Sequence, residues 1–138
     1  MSVPPRLVLD AGPPIALYHA ADPDHESTVR GFGALAQAKS RLIVPLPVGF
    51  WVFKWLLFEG GPDKARLAPD RMREGLEVIA LGLGELDAIQ TVLQALLDWK
   101  GALEDASVAL LVLRLGVPLR TLSYRDLGIF PKLEFWAG

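Results

Sequence analysis

The sequence contains no cysteine. This absence excludes both a disulfide framework and a thiolate zinc site, and it suits a reducing compartment, so we expect a cytoplasmic protein. The glycine pattern lacks GxGxxG and also lacks GKS and GKT, which argues against nucleotide binding of the Rossmann or P-loop kind. There is also no nucleophile elbow to support a Ser–His–Asp arrangement.

An excess of basic residues is also lacking. The chain has 14 Lys and Arg against 16 Asp and Glu, a formal net charge of −2. This balance argues against a protein that coats nucleic acid through a broad basic surface. It leaves room for an enzyme that holds a few phosphates through metal ions, because an acidic metal site itself adds negative charge.

Long apolar runs of membrane length are missing too. The longest apolar stretch, residues 42–58, contains Lys54 and is shorter than the ~20 residues that a spanning helix needs. Pro45 and Pro47 divide it into a strand and a later helix. The first ten residues have too short an apolar run for a signal peptide. We therefore expect no membrane association.

What the chain does have is enough apolar side chain for a core. Its 138 residues are 51% hydrophobic and 22% charged, which predicts a single domain spanning residues 1–138. Short apolar runs predict strands at residues 6–9, 42–44, 76–81 and 118–122, with 133–136 as a possible fifth strand at a sheet edge. Strands alternating with helices indicate a three-layer α/β/α sandwich around a mainly parallel sheet of four or five strands.

Helices are expected between these strands. The apolar periodicity and the end signals place them at residues 14–21, 25–38, 47–58, 62–74, 83–99 and 103–115. Pro69 is expected to break the fourth of these into two short helices, or to interrupt a single one. Gly116 stands at the C-cap position of the last helix.

Three acidic residues fall where an open parallel sheet binds ligands, beyond the carboxyl ends of its strands. Asp10 closes the first strand, Asp105 lies in the first turn of the last helix, and Asp126 follows the fourth strand. Clustered carboxylates repel one another unless a divalent cation lies among them, and Mg²⁺ and Mn²⁺ prefer oxygen ligands. Taken singly, Asp10 is also compatible with ending a strand, Asp105 with an ordinary helix start and Asp126 with a plain loop.

Three stretches together resemble the PIN-domain family, which includes the VapC-like toxins of bacterial toxin–antitoxin pairs. They are LVLDAGPPIALYHAADPDHE, LEDASVALLVLRLG and TLSYRDLGIF, in the family's order along nearly the whole chain. The resemblance implies an Mg²⁺- or Mn²⁺-dependent ribonuclease with Asp10, Asp105 and Asp126 as metal-site acids. It further implies an RNA substrate, an antitoxin partner protein and a homodimer. Thr121 matches a hydroxyl residue common at the fourth strand's end, and Ser123 stands where many members have Asp or Asn.

The sequence departs from the family in the helix that follows the second strand. Members usually place a Glu there, whereas residues 41–58 contain no acid and have Trp51 and Val52 near that position. Glu59 lies about two helical turns further on, ~10 Å along the axis, which is too far to substitute. We expect weakened activity, with Glu104 or water completing the coordination. A catalytically inactive binding module, or a purely structural partner protein, is the alternative.

Two further features have more than one interpretation. The aromatic residues of the third helix suit core packing, a subunit interface or, less readily, stacking on unpaired bases; they are Phe50, Trp51, Phe53, Trp55 and Phe58. His25, beside Asp22 and Asp24, is interpreted mainly as a solvated helix start, with metal ligation as the alternative.

Overall fold

The computed structural model describes residues 2–122 and 134–136, so Asp126 and Ser123 lie outside the described residues. The sheet has four strands in the order β3-β2-β1-β4, and every neighbouring pair is parallel. The strands are β1 (Arg6–Leu9), β2 (Arg41–Pro45), β3 (Glu77–Ile79) and β4 (Leu119–Arg120). The predicted parallel sheet is thus confirmed.

In the part of the chain that the structure describes, six helices flank this sheet, as expected for an α/β/α sandwich. They are α1 (Gly12–Tyr18), α2 (His25–Gln37), α3 (Leu46–Gly60), α4 (Pro62–Gly75), α5 (Leu83–Ala95) and α6 (Leu103–Leu115). Within the described residues, none of them combines the length and the apolar character that crossing a membrane demands. The apolar stretch 42–58 divides as predicted, because β2 ends at Pro45 and α3 begins at Leu46.

Strand β1 lies in the middle of the sheet and of the core. Its residues Leu7, Val8 and Leu9 are fully buried, which is what an uninterrupted apolar run in a parallel sheet predicts. Helix α6 packs against β1 and β2, and α3 packs against β2 and β3. The central strand therefore holds the residue that follows it, Asp10, in a fixed place.

Of the expected fifth strand, the described residues 134–136 form one bridge to the sheet. Phe135 pairs in parallel with Leu119. The amide of Leu119 donates to Glu134 O, and the amide of Trp136 donates to Leu119 O, both at 2.8 Å. The bridge lies beside β4, at the edge of the sheet where the extra strand was expected.

Helix α4 corrects one expectation. It runs unbroken through Pro69, whereas a break was expected there. Proline removes one helical hydrogen bond, but Ala65, Ala68 and Met72 are buried in the core on one face of α4. Burial of this face keeps the two halves in one helix.

Several element ends also differ from the sequence-based expectation. Helix α1 ends at Tyr18 rather than at residue 21, because His19 adopts an extended backbone. Helix α5 ends at Ala95 rather than at residue 99, and β3 has only three residues. Apolar residues follow each of these ends, namely Ala20 and Ala21, Leu96 and Leu97, and Ala80 and Leu81. They give no end signal, so the apolar pattern alone extended the predicted elements too far.

Gly116 provides a test of the α6 terminus. Its φ of 64° lies in the left-handed region, which a Cβ disfavours by about 1–2 kcal/mol. We predict that Gly116→Ala lowers the free energy of unfolding by about 1 kcal/mol in urea denaturation followed by circular dichroism. Gly75→Ala, at the end of α4 where a Cβ meets no atom within 4 Å, is the matched control and should be neutral or stabilising. Equal losses in both variants would contradict this account.

Candidate metal centre

The site lies where the strand order reverses. The chain leaves β1 and returns as β2 on one side, whereas β4 lies on the other side, so the ends of β1 and β4 border the crevice in which such sheets bind ligands. Asp10 directly follows β1, and Thr121 directly follows β4. The backbone amide of Asp10 donates to Arg120 O at 3.4 Å.

The carboxylate of Asp10 is held by two donors. The hydroxyl of Thr121 donates to Oδ2, and the amide of Gly12 donates to Oδ1 at 3.2 Å. Asp10 is only 3% exposed, and Thr121 is fully buried. A Cβ at position 12 would lie 3.2 Å from the Cβ of Leu122, so the close turn after β1 favours glycine. The carboxylate therefore has a defined orientation.

Asp10 is also electrostatically strained. Burial raises the pKa of its carboxyl group from the ordinary 3.8 to about 7, opposed by the Thr121 hydrogen bond and supported by repulsion from Asp105. The amide of Gly12 lowers the pKa by a smaller amount. The two carboxylates predicted from the sequence are therefore close enough to repel each other.

An acidic cavity of about 360 Å³ opens in front of Asp10. Its acidic residues come from three separate segments and are Asp10, Asp22, Asp24, Glu104 and Asp105. Its main apolar residues are Ile15, Val48, Trp51, Trp55 and Leu122. We call this space the acidic cavity.

Helix α6 supplies one side of the acidic cavity. Glu104 and Asp105 lie in its first turn, where the helix dipole stabilises negative charge. The hydroxyl of Ser107 donates to Glu104 O at 2.6 Å and fastens this turn. The next residues of α6 are buried, and therefore the acidic turn cannot shift without disturbing the core.

Trp51, near the position at which the sequence resemblance leads us to expect a Glu, borders the acidic cavity. Helix α3 directs Val48, Trp51 and Trp55 to the acidic cavity, at the i, i+3 and i+7 spacing of one helical face. Glu59 is absent from the lining of this cavity, as its distance along the helix predicted. Helix α3 thus contributes two indole rings and no carboxylate to the wall of the acidic cavity.

The donor set suits a hard divalent cation with few protein ligands. Within residues 2–122 and 134–136, no group of three or more His, Cys, Asp or Glu side chains is arranged to hold a metal ion. Mg²⁺, however, is often held by one or two carboxylates, with water and substrate phosphate completing its shell. Asp10 and Asp105 meet that minimum, and a cation would relieve their mutual repulsion.

Asp22 and Asp24 are cavity residues that the sequence analysis did not assign to the site. The amide of Asp24 donates to Asp22 Oδ1 at 2.8 Å, which fixes a tight turn between α1 and α2. One signal was available: α1 has only seven residues, about 10 Å of helix, so the turn after it stays near the end of β1. His25 instead lies against α1, with Nδ1 2.7 Å from Ala16 O, where a ring N–H donates.

The raised pKa of Asp10 has a consequence for stability. In a metal-free protein, ionisation favours the unfolded chain, so stability present below the ordinary pKa of 3.8 is lost as the pH rises through about 7. The rise in the pKa of Asp10 from 3.8 to about 7 corresponds to a loss on the order of 4 kcal/mol. We predict that Asp10→Asn raises the melting temperature in EDTA at pH 8, and that the difference from wild type shrinks towards pH 4.

Circular dichroism melts at several pH values measure this difference. Asp87→Asn, an exposed carboxylate on α5, is the control and should follow wild type at every pH. A loss of stability in Asp10→Asn that is the same at pH 4 and pH 8 would show that no buried charge is being removed.

Comparison with known proteins identifies the fold. No protein-family model matches the sequence, and no curated protein does. The crystal structure of Mycobacterium tuberculosis VapC20, described as a sarcin–ricin loop cleaving toxin, matches with a TM-score of 0.71 and 16% identity, over 83% of this chain and 86% of that one. VapBC2 from Rickettsia felis, bound to a DNA fragment from its promoter, matches with a TM-score of 0.72 and 14% identity, over 96% and 99%. The chain therefore has the PIN-domain fold of the VapC-like proteins.

Proposed function

We propose that the protein is a metal-dependent endoribonuclease of the toxin–antitoxin kind, with its activity weakened by the loss of one acid. One observation carries the proposal: the buried carboxylate of Asp10 faces Asp105 in an acidic cavity at the β1–β4 switch point. Asp126, outside the described residues, is the third proposed ligand. Mg²⁺ or Mn²⁺ is the proposed cofactor.

The structural neighbours support the same activity. One of them is described as a toxin that cleaves the sarcin–ricin loop, and the other as a VapBC pair bound to promoter DNA. By analogy we propose RNA as the substrate and an antitoxin as the partner protein. A homodimer and a cytoplasmic location remain further parts of the proposal.

The residues of the chain have separable roles in this chemistry. Thr121 and Gly12 orient the Asp10 carboxylate, so its free lone pairs point in a fixed direction. Burial keeps that carboxylate partly protonated near neutral pH, and a cation must displace the proton to bind. When bound, a divalent ion supplies an activated water and stabilises charge on the phosphodiester.

The apolar wall of the acidic cavity weakens the binding of a divalent cation. Trp51 contributes no negative charge, and an apolar surface beside a cation makes its desolvation more costly. A site with two carboxylates and an indole should therefore bind metal weakly. This is the physical reason for expecting slow hydrolysis.

A catalytically inactive PIN-like binding module is the second candidate. It is favoured by Trp51, which borders the acidic cavity near the position where an acid was expected. Such a module would keep the acidic cavity as a binding surface without cutting. The two candidates differ in one measurable property, which is hydrolysis.

A cleavage assay separates these candidates. We predict slow Mn²⁺- or Mg²⁺-dependent cutting of single-stranded RNA by the purified chain, which EDTA stops and Asp10→Asn reduces by at least a hundredfold. The rate should rise between pH 6 and pH 8, because the pKa of Asp10 is raised to about 7 and only its ionised form binds metal.

Asp87→Asn serves as the control and should cut like wild type. Cutting that survives in both EDTA and Asp10→Asn would contradict the proposed site. A complete lack of cutting at millimolar Mn²⁺ would favour the inactive module.

Restoring an acid to α3 tests the role of Trp51. We predict that Trp51→Glu binds Mn²⁺ about tenfold more tightly in calorimetry, because a third carboxylate then borders the acidic cavity. Leu57→Glu is the matched control: Leu57 is 42% exposed and Trp51 is 39% exposed on the same helix. Leu57 is not a cavity residue, and its substitution should leave Mn²⁺ affinity unchanged. Equal gains in both variants would indicate a nonspecific effect of charge.

A further inference from the structure

A second, smaller cavity adjoins the acidic cavity. It has a volume of about 170 Å³ and is lined by Trp51, Lys54, Trp55, Phe58 and Glu59. Trp51 and Trp55 line both spaces, so the two share a wall of indole rings. We call the smaller space the aromatic cavity.

The three aromatic residues form one face of α3. Trp51, Trp55 and Phe58 follow the i, i+4 and i+7 spacing within an unbroken helix. Trp51 is 39% exposed and Phe58 is 84% exposed, whereas Trp55 is half-buried. The Trp55 ring packs edge-on against His19, with ring centroids 6.2 Å apart. The face is therefore both accessible and anchored at its centre.

Size restricts what this cavity can hold. Pockets for drug-sized ligands measure about 300–1,000 Å³, and the aromatic cavity is well below that range. It has room for one flat ring system and not for the side of a partner helix.

The charged residues that border the aromatic cavity also bear on which ligand it binds. Lys54 and Glu59 both border the aromatic cavity, so their formal charges cancel and the cavity has no excess negative charge that would select a cationic guest. The ammonium of Lys54 suits the phosphate that accompanies a nucleobase. Glu59 offers an acceptor for a base N–H group. In the part of the chain that the structure describes, neither Lys54 nor Glu59 forms an ion pair.

We propose that the aromatic cavity is a subsite for an unpaired nucleobase of the RNA strand that approaches Asp10 and Asp105. The identification of the ligand as RNA rests on the proposed function. Stacking on an aromatic face needs no particular base, so the subsite selects unpaired over paired nucleotides and not one sequence. Trp51 would lie between the base and the phosphate at the acidic cavity.

The opposite face of α3 provides the control. Phe50 is 69% exposed on the same helix, yet it lines a separate apolar cavity with Phe53, Met72 and Val78. No acidic residue lines that cavity. Removal of Phe50 therefore takes away an exposed phenyl ring without touching the proposed subsite.

Binding is measured on the full chain in EDTA, so that no RNA is cut. The probe is a short single-stranded RNA with one 2-aminopurine, whose fluorescence falls on stacking, and a duplex of the same sequence is the second probe. We expect quenching with the single strand, about tenfold weaker binding in Phe58→Ala (equivalent to about 1.4 kcal/mol), and no change in Phe50→Ala. The duplex should bind more weakly than the single strand.

Three results would overturn the subsite. They are wild-type binding by both Phe58→Ala and Trp51→Ala, a loss of binding in Phe50→Ala as large as that in Phe58→Ala, and binding of the duplex as tight as that of the single strand. If sedimentation shows that Phe58→Ala only converts a dimer into monomers, this face is an interface between copies. The binding assay contains no metal, so its result is independent of the cleavage assay in Mn²⁺. RNA binding with the expected quenching, but no cleavage, would refute the ribonuclease and leave the subsite. Cleavage without quenching would refute the subsite and leave the ribonuclease.

Discussion

The carboxylate of Asp10 is removed from water at the end of the central strand, beside a second carboxylate on α6. The Thr121 hydroxyl and the backbone amides of Gly12 and Asp10 offset only part of the cost of that burial, and the pKa of Asp10 therefore rises to about 7. Thr121 lies 111 residues away from Asp10 along the chain, so this contact joins the first strand to the last. Such an arrangement destabilises a metal-free protein at neutral pH, and a bound cation removes the cost.

Trp51 affects both the charge of the acidic cavity and the surface beside it. It deprives the acidic cavity of a charge, which weakens the attraction for a divalent ion. It also places an indole between this cavity and the aromatic cavity, which adds a surface for stacking. In the proposed function, this one residue weakens the binding of a divalent cation and adds a surface on which an unpaired base stacks.

Much of this could be predicted from the sequence because the signals were local. An apolar run ending in Asp10 indicates a buried strand, and Asp105 after a helix start indicates a position near the dipole. The continuity of α4 through Pro69 could not be predicted, because it depends on burial of one face in the core. Asp22 and Asp24 were likewise missed, since only the length of α1 decides where their turn lies.

We propose that Asp10 and Asp105 share one divalent cation, and anomalous diffraction from crystals soaked in Mn²⁺ shows whether they do. We expect a single strong anomalous peak within coordination distance, about 2.2 Å, of an oxygen from each carboxylate. We also expect this peak to disappear in crystals of Asp10→Asn. A peak elsewhere on the molecule, or none between these two side chains at saturating Mn²⁺, would contradict the proposal.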